Sequence, residues 1–194
     1  FFKNGGLQTP DLGEKFVENL LGYFQIPMGV ATNFCIDGQD YIIPMAVEET
    51  SIIAAASKTA KWVRENGEIK TEVIGTDIIG QIQFAKVKNF AEFESQVLQQ
   101  KEFLIHLANK EVAFGLVARG GGVTNLTVRE LKRDDGLSMA VIHIYMNPCD
   151  AMGANIINQV CEFLKNLLQE FTNEAVTMCI LSNLVDSKLT KATV

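Results

Sequence analysis

Three things are scarce in this sequence: an excess of basic charge, cysteine or histidine at metal-binding spacing, and long apolar runs. Lysine and arginine number 17 against 23 aspartate and glutamate, for a net charge of −6 at neutral pH. The cations are scattered rather than gathered on one predicted face, so no nucleic-acid partner is expected. The four cysteines, Cys35, Cys149, Cys161 and Cys179, show no C-x-x-C spacing and fall in apolar or turn segments. That usage fits reduced thiols in a cytoplasmic protein better than disulfides or zinc, and no metal site is expected. Apolar runs are short and interrupted, and Phe1-Phe2-Lys3-Asn4 does not read as a signal peptide, so no membrane segment is expected. The two histidines, His106 in a helical stretch and His143 in an alternating one, read as packing or surface positions.

What is present is enough apolar side chain for a substantial core: 47% hydrophobic and 21% charged residues over 194 positions. A shift from an Ala-rich helical stretch to a strand near Gly75-Thr76-Asp77 predicts two units. In the first, Leu12–Leu21 reads as a short helix, Ile36–Asp40 as a turn between extended segments, and Glu48–Arg64 as a helix. Ile52, Ile53, Ala56, Ala60 and Val63 would form that helix's buried face. The second unit reads as strand 79–87, helix 90–111, strand 123–131, strand 139–146, helix 152–171 and strand 175–181, with Arg133-Asp134-Asp135-Gly136 as a turn. That order is a split βαβ pattern, which predicts a four-stranded antiparallel sheet with both helices on one face, the ferredoxin-like arrangement of an α+β protein. Such a scaffold carries many unrelated sites, so function must be read elsewhere.

The stretch Cys149-Asp150-Ala151-Met152-Gly153-Ala154-Asn155 places a turn directly before a long amphipathic helix, whose Ile156, Ile157, Val160, Cys161, Leu164, Leu167, Leu168 and Phe171 mark one buried face. Free N–H groups at a helix start hold phosphate, and small residues let a pyrophosphate come close. The same residues also fit an ordinary helix capped by Asp150.

Asp150 to Asn155 resembles the dinucleotide-binding signature of hydroxymethylglutaryl-CoA reductases, in the form typical of the soluble bacterial class. Four further segments match that family in order and approximate spacing: Glu18-Asn19-Leu20-Leu21-Gly22; Pro27–Asp40 with Pro44–Ser51; Ile79–Gln83; and Ala118-Arg119-Gly120-Gly121-Gly122. The resemblance covers about residues 14–185. It implies that residues 1–75 belong to a large, mixed α/β substrate-binding domain. Residues 76–181 would be an inserted small nicotinamide-binding domain, and residues 182–194 a return into the large one.

By resemblance the chemistry is the interconversion of hydroxymethylglutaryl-CoA with mevalonate and CoA, by two hydride transfers with NAD or NADP. Glu49 aligns with the catalytic glutamate, a role that needs a carboxyl group raised in pKa by burial or neighbouring charge. Ser51, Glu18, Asn19 and Ser182 align with substrate-binding positions. Asp150, Ala151, Met152, Gly153, Ala154, Asn155 and Asn183 align with cofactor-binding ones. Thr50 stands where the family usually has proline. The family's motifs for its catalytic lysine, aspartate and histidine do not occur, and Lys188 and Lys191 lie in a different context, so the sequence reads as a fragment unable to complete catalysis alone. A homodimer or higher homo-oligomer is implied. Two other readings stay open at this level: a nucleotide- or CoA-binding module without turnover, and an interaction domain.

Overall fold

The structure is a computed structural model and describes residues 13–194. The chain divides into two compact units, residues 1–71 with 192–194, and residues 72–191. The protein is of mixed α+β construction with antiparallel sheets.

The described part of the first unit is built on a hairpin, β1 (Met28–Ile36) and β2 (Gln39–Ala46), followed by helix α1 (Ile52–Asn66). Asp37 and Gly38 close the hairpin, both at positive φ (51° and 79°), as a two-residue turn that follows the twist of the strands requires. A bulge between Ala31 and Phe34 puts Asn33 at φ 69°. There Thr32 N–H donates to Ser57 Oγ at 3.0 Å and Asn33 Nδ2 donates to Ser57 O at 3.2 Å, which fastens the hairpin to the helix. Of the helix expected over 12–21, Leu12 lies outside the described residues, Gly13 is helical, and residues 14–19 form turns and a bend in which Phe16 and Val17 N–H both donate to Gly13 O. The helix expected from Glu48 starts at Ile52 instead, because residues 48–51 bend away from β2 first. Of its expected buried face, Ala60 and Val63 are buried, while Ile52 is 40% exposed.

In the second unit the elements run β4 (Ile78–Val87), α2 (Phe90–Gln99), α3 (Lys101–Glu111), α4 (Phe114–Val117), β5 (Gly122–Lys132), β6 (Ser138–Asn147), α5 (Ala154–Thr172) and β7 (Met178–Leu181). The sheet order is β5-β6-β4-β7, every neighbouring pair antiparallel. The single helix expected over 90–111 is two helices, because Gln100 N–H closes a short turn onto Val97 O and the next helix starts afresh from Gln100 O. Alternation along the strands turns Ile82, Phe84, Leu126, Ile142 and Ile144 toward the helices, where they pack with Phe93, Val97, Leu104, Ile157, Val160, Leu164 and Leu168 into one core. Phe84 and Phe93 meet edge to face, centroids 4.7 Å apart. Two short strands that sequence periodicity does not reveal, β3 (Lys70–Val73) and β8 (Thr190–Thr193), pair with each other, and the division between the units falls within them.

Candidate functional site

Residues 148–153 link β6 to α5. Asn147 Oδ1 accepts from Cys149 N–H at 2.9 Å, and Ala151 N–H closes onto Pro148 O at 3.2 Å. Gly153 then takes φ 87°, a left-handed conformation open to glycine at little cost, and serves as the N-cap of α5. A Cβ there would lie 2.6 Å from Ile78 Cδ1 and 2.7 Å from Pro148 Cβ, so the position is closed to larger residues by space as well as by conformation.

The alternative of an ordinary helix capped by Asp150 is not what forms: α5 has no side-chain cap and no acidic residue in its first turn. Its first intrahelical bond is Ile157 N–H to Gly153 O, which leaves the N–H groups of residues 154–156 without helical partners. With the positive end of the 19-residue helix beside them, those donors suit a negatively charged group.

In front of them opens a cavity of about 500 Å³, lined by Ala151, Met152, Gly153, Ala154, Asn155 and Ile156 on one side and by Val112, Phe114, Gly115, Leu116 and Arg119 on the other. Arg119 is the one charged side chain among them. The structure thus gathers five of the six expected residues of the 150–155 stretch around one space, with Asp150 outside its lining. Phe114 and Leu116 come from the four-residue α4, too short to leave a periodic signal in sequence; Arg119 stands in the family-like segment Ala118–Gly122.

The glycine run beside Arg119 is held by two contacts. Asn109 accepts from Val123 N–H at 2.7 Å through Oδ1 and donates to Val123 O at 2.8 Å through Nδ2. Gly121 lies so close to the neighbouring loop that a Cβ would meet Asn147 O at 2.5 Å and Cys149 Sγ at 2.6 Å. Glycine at 121 therefore serves close approach rather than flexibility.

Of the remaining expected residues, Ser182 follows β7, its N–H donating to Ile79 O at 2.7 Å and its Oγ accepting from Leu184 N–H at 3.1 Å. Asn183 beside it is exposed. In the first unit Glu49 is exposed on the bend between β2 and α1, next to Thr50, and the apolar approach to it does not bury it, Met45 and Val47 being only half-buried themselves. Ser51 occupies the N-cap position of α1 without making a side-chain cap bond. Glu18 and Asn19 are exposed in turns, Asn19 at φ 56°. Among the described residues, no group of three or more His, Cys, Asp or Glu side chains is placed to hold a metal ion, and no helix is long and apolar enough to cross a membrane.

The sequence matches the family model for hydroxymethylglutaryl-coenzyme A reductase over residues 1–194. It is 41% identical over 182 residues to the 3-hydroxy-3-methylglutaryl-coenzyme A reductase of Archaeoglobus fulgidus, covering 94% of this chain and 41% of that protein. The fold superposes with a TM-score of 0.88, at 30% identity, on the class II enzyme of that name from Streptococcus pneumoniae, solved bound to NADPH in open conformations; the match covers 98% of this chain and 45% of the other. A second solved form of the Streptococcus pneumoniae reductase gives a TM-score of 0.86 at 30% identity over 98% of this chain and 54% of its own. The chain therefore spans less than half the length of the Archaeoglobus fulgidus relative, and with a match across its whole sequence it belongs to the hydroxymethylglutaryl-coenzyme A reductase family.

Proposed function

We propose that the full-length protein interconverts hydroxymethylglutaryl-CoA with mevalonate and CoA, using NAD or NADP, and that residues 76–181 form its cofactor-binding domain. The observation that carries this reading is the cavity before α5. It joins the uncapped helical N–H groups and left-handed Gly153 of the stretch that bears the family's signature with Arg119 from the opposite wall. A dinucleotide fits these residues: the N–H groups of 154–156 and Arg119 suit its pyrophosphate, and Phe114 and Met152 offer apolar surface to its flat rings. When bound, such a cofactor supplies or accepts hydride. Ala151 to Asn155 would hold and orient it, with Asp150 and Asn183 at the edge of the site.

The chain's own part in the chemistry is proton management. A thioester carbonyl that gains hydride needs a proton at its oxygen, and Glu49 is the group assigned to give it in one direction and take it back in the other. Closure of the full-length protein around the exposed bend would have to remove Glu49 from water for that role. Ser51, Glu18, Asn19 and Ser182 would hold the substrate, Ser51 through a hydroxyl that both donates and accepts. The strand order β5-β6-β4-β7 with α2 to α5 between supports a ferredoxin-like reading of the second unit. Residues 1–75 and 182–194 would belong to the substrate-binding domain of a cytoplasmic homodimer or larger homo-oligomer.

The test is reduction of NAD, and in a parallel arm NADP, by the full-length protein with mevalonate and CoA. Glu49→Gln should lower turnover by roughly 10² to 10⁴ with cofactor affinity retained. Absence of turnover with either cofactor would overturn the reading.

A further inference from the structure

The sheet of the second unit has helices on one face only, and the other face carries a polar depression. The ladder register places Thr127, His143 and Gln81 in one row across β5, β6 and β4, and Arg129, Val141 and Gln83 in the next. With Ser182 from the segment after β7, Gln81, Gln83, Arg129 and His143 line a pocket of about 230 Å³. It shares no lining residue with the cavity before α5.

His143 is 4% exposed, and among the described residues neither of its ring nitrogens has a hydrogen-bond partner; its ring meets Tyr145 edge to face. Polar groups buried this far are almost always paired. No side-chain nitrogen or oxygen of the described residues is both sealed from solvent and unpaired, so the His143 nitrogens keep a path to open space, and the pocket they line supplies it. Burial first, and the charge of Arg129 second, push His143 below its ordinary pKa, against a smaller opposing pull from Asp186. At neutral pH the ring is therefore neutral, with one N–H to give.

The other lining groups are also donors with unused capacity. Gln83 Nε2 donates to Gln81 Oε1 at 3.0 Å, which occupies the Gln81 oxygen and leaves its NH₂ free. Ser182 Oγ accepts from Leu184, which leaves its proton to give. Arg129 has no ion pair among the described residues, and no carboxylate lines the pocket. One cation with several neutral donors matches a single negative charge better than a phosphate dianion, and a carboxylate's two oxygens can accept from all of them. The rest of the wall is aliphatic, with Met139 and Leu184 at the rim. We propose that this pocket binds a short aliphatic carboxylate, with Arg129, His143, Gln81 and Ser182 holding its oxygens and Met139 and Leu184 flanking its hydrocarbon. Ser182 ties the pocket to the reductase reading, but the donor set stands without it. The carboxylate belongs either to the hydroxy acid of the proposed reaction or to a separate acid that acts on the protein.

The test uses full-length protein with isovalerate and mevalonate as probes and isovaleramide as the uncharged control. The ring resonances of His143, assigned by their loss in H143Q, report binding. Both acids or one of them should shift these resonances saturably, the amide should not, and R129Q should weaken the binding at least about tenfold. Arg129 is exposed, so R129Q leaves the fold intact and keeps the test readable if H143Q does not fold. Isovalerate that competes with mevalonate turnover identifies the reaction's own acid as the source; isovalerate that binds without competing identifies a separate acid. The proposal is overturned if neither acid moves His143, if the amide binds equally, or if R129Q binds as wild type. Turnover measured on the same samples keeps the two readings apart. Turnover without a carboxylate effect at His143 removes this proposal alone, and a carboxylate effect without turnover removes only the reductase reading.

Discussion

The two units spend their apolar side chains differently. In the second, Ile82, Phe84, Phe93, Leu104, Ile142, Ile144, Leu164 and Leu168 are all buried in one core between sheet and helices. In the described part of the first, only Ala31, Ala60 and Val63 among the apolar residues are buried, while Phe24 stays 89% exposed, Phe16 78% and Trp62 64%. Between β1 and α1 an apolar groove of about 450 Å³, lined by Phe34, Ala55, Ala56 and Val63 among others, is left unfilled. Exposed apolar surface of this extent is a site of contact, with protein or with ligand. The second unit thus covers its apolar side chains with its own elements, and the described part of the first leaves most of its own uncovered.

The sharpest way to break this contrast is a pair of truncations. Phe84→Ala removes a fully buried ring and should cost about 3 to 5 kcal/mol in chemical denaturation, whereas Trp62→Ala in the same 194-residue chain should fall within about 0.5 kcal/mol of wild type. Equal losses would end the distinction. In full-length protein Trp62→Ala should become costly, which hydrogen exchange over α1 would also register as protection absent from the shorter chain.

Gly153→Ala comes next. The left-handed conformation and the contact with Ile78 should together cost about 1 to 3 kcal/mol, and nicotinamide dinucleotide affinity should fall with it. Unchanged affinity in a folded variant would detach the cofactor reading from this loop. Asn109→Ala breaks both bonds to Val123 and leaves its N–H and C=O poorly satisfied, for a loss of about 1 to 3 kcal/mol. The comparison predicts that this loss appears in the second unit's unfolding transition and leaves the first unit's unchanged.

The smallest effect concerns the first unit. The hydroxyl and N–H of Thr71 both donate to Asp37 and hold its carboxyl below the usual carboxylate range. The unfolded chain binds that proton more readily. The contribution is therefore present above the unfolded carboxylate pKa and is lost as pH falls through the lower folded value. Asp37→Asn should flatten the acid limb of the stability curve slightly, and an unchanged limb would count against the contact.

Periodicity makes most of the second unit legible, because each strand and helix there turns one apolar face to a core built from the same stretch of chain. The four strands of its sheet appear within a few residues of their expected bounds. What escapes is what depends on distance or on single residues. The β3 and β8 pair joins segments far apart in sequence, and the break at Gln100 has no glycine or proline to announce it. At α5, Asp150 looks like a cap, yet the chain reaches the helix through Gly153, and no local pattern separates the two. The residues expected around Asp150 do gather at one cavity. Its second wall comes from residues 112–119, which no spacing rule connects to 151–156. His143 reads as packing from alternation alone, and only the register with Arg129 and Gln81 shows it facing a pocket.

The antiparallel pairing of β4 with β7 joins Gly80 to Leu181 across about a hundred residues of intervening chain. On a ribosome adding about 5 to 20 residues per second, β4 leaves the tunnel roughly 5 to 20 seconds before its outer partner does. Through that interval the side of β4 that later faces β7 is unpaired, with its N–H and C=O groups open to whatever extended chain is nearby. The order in which this protein is made, as much as its final packing, decides how long its most adhesive surface is on offer.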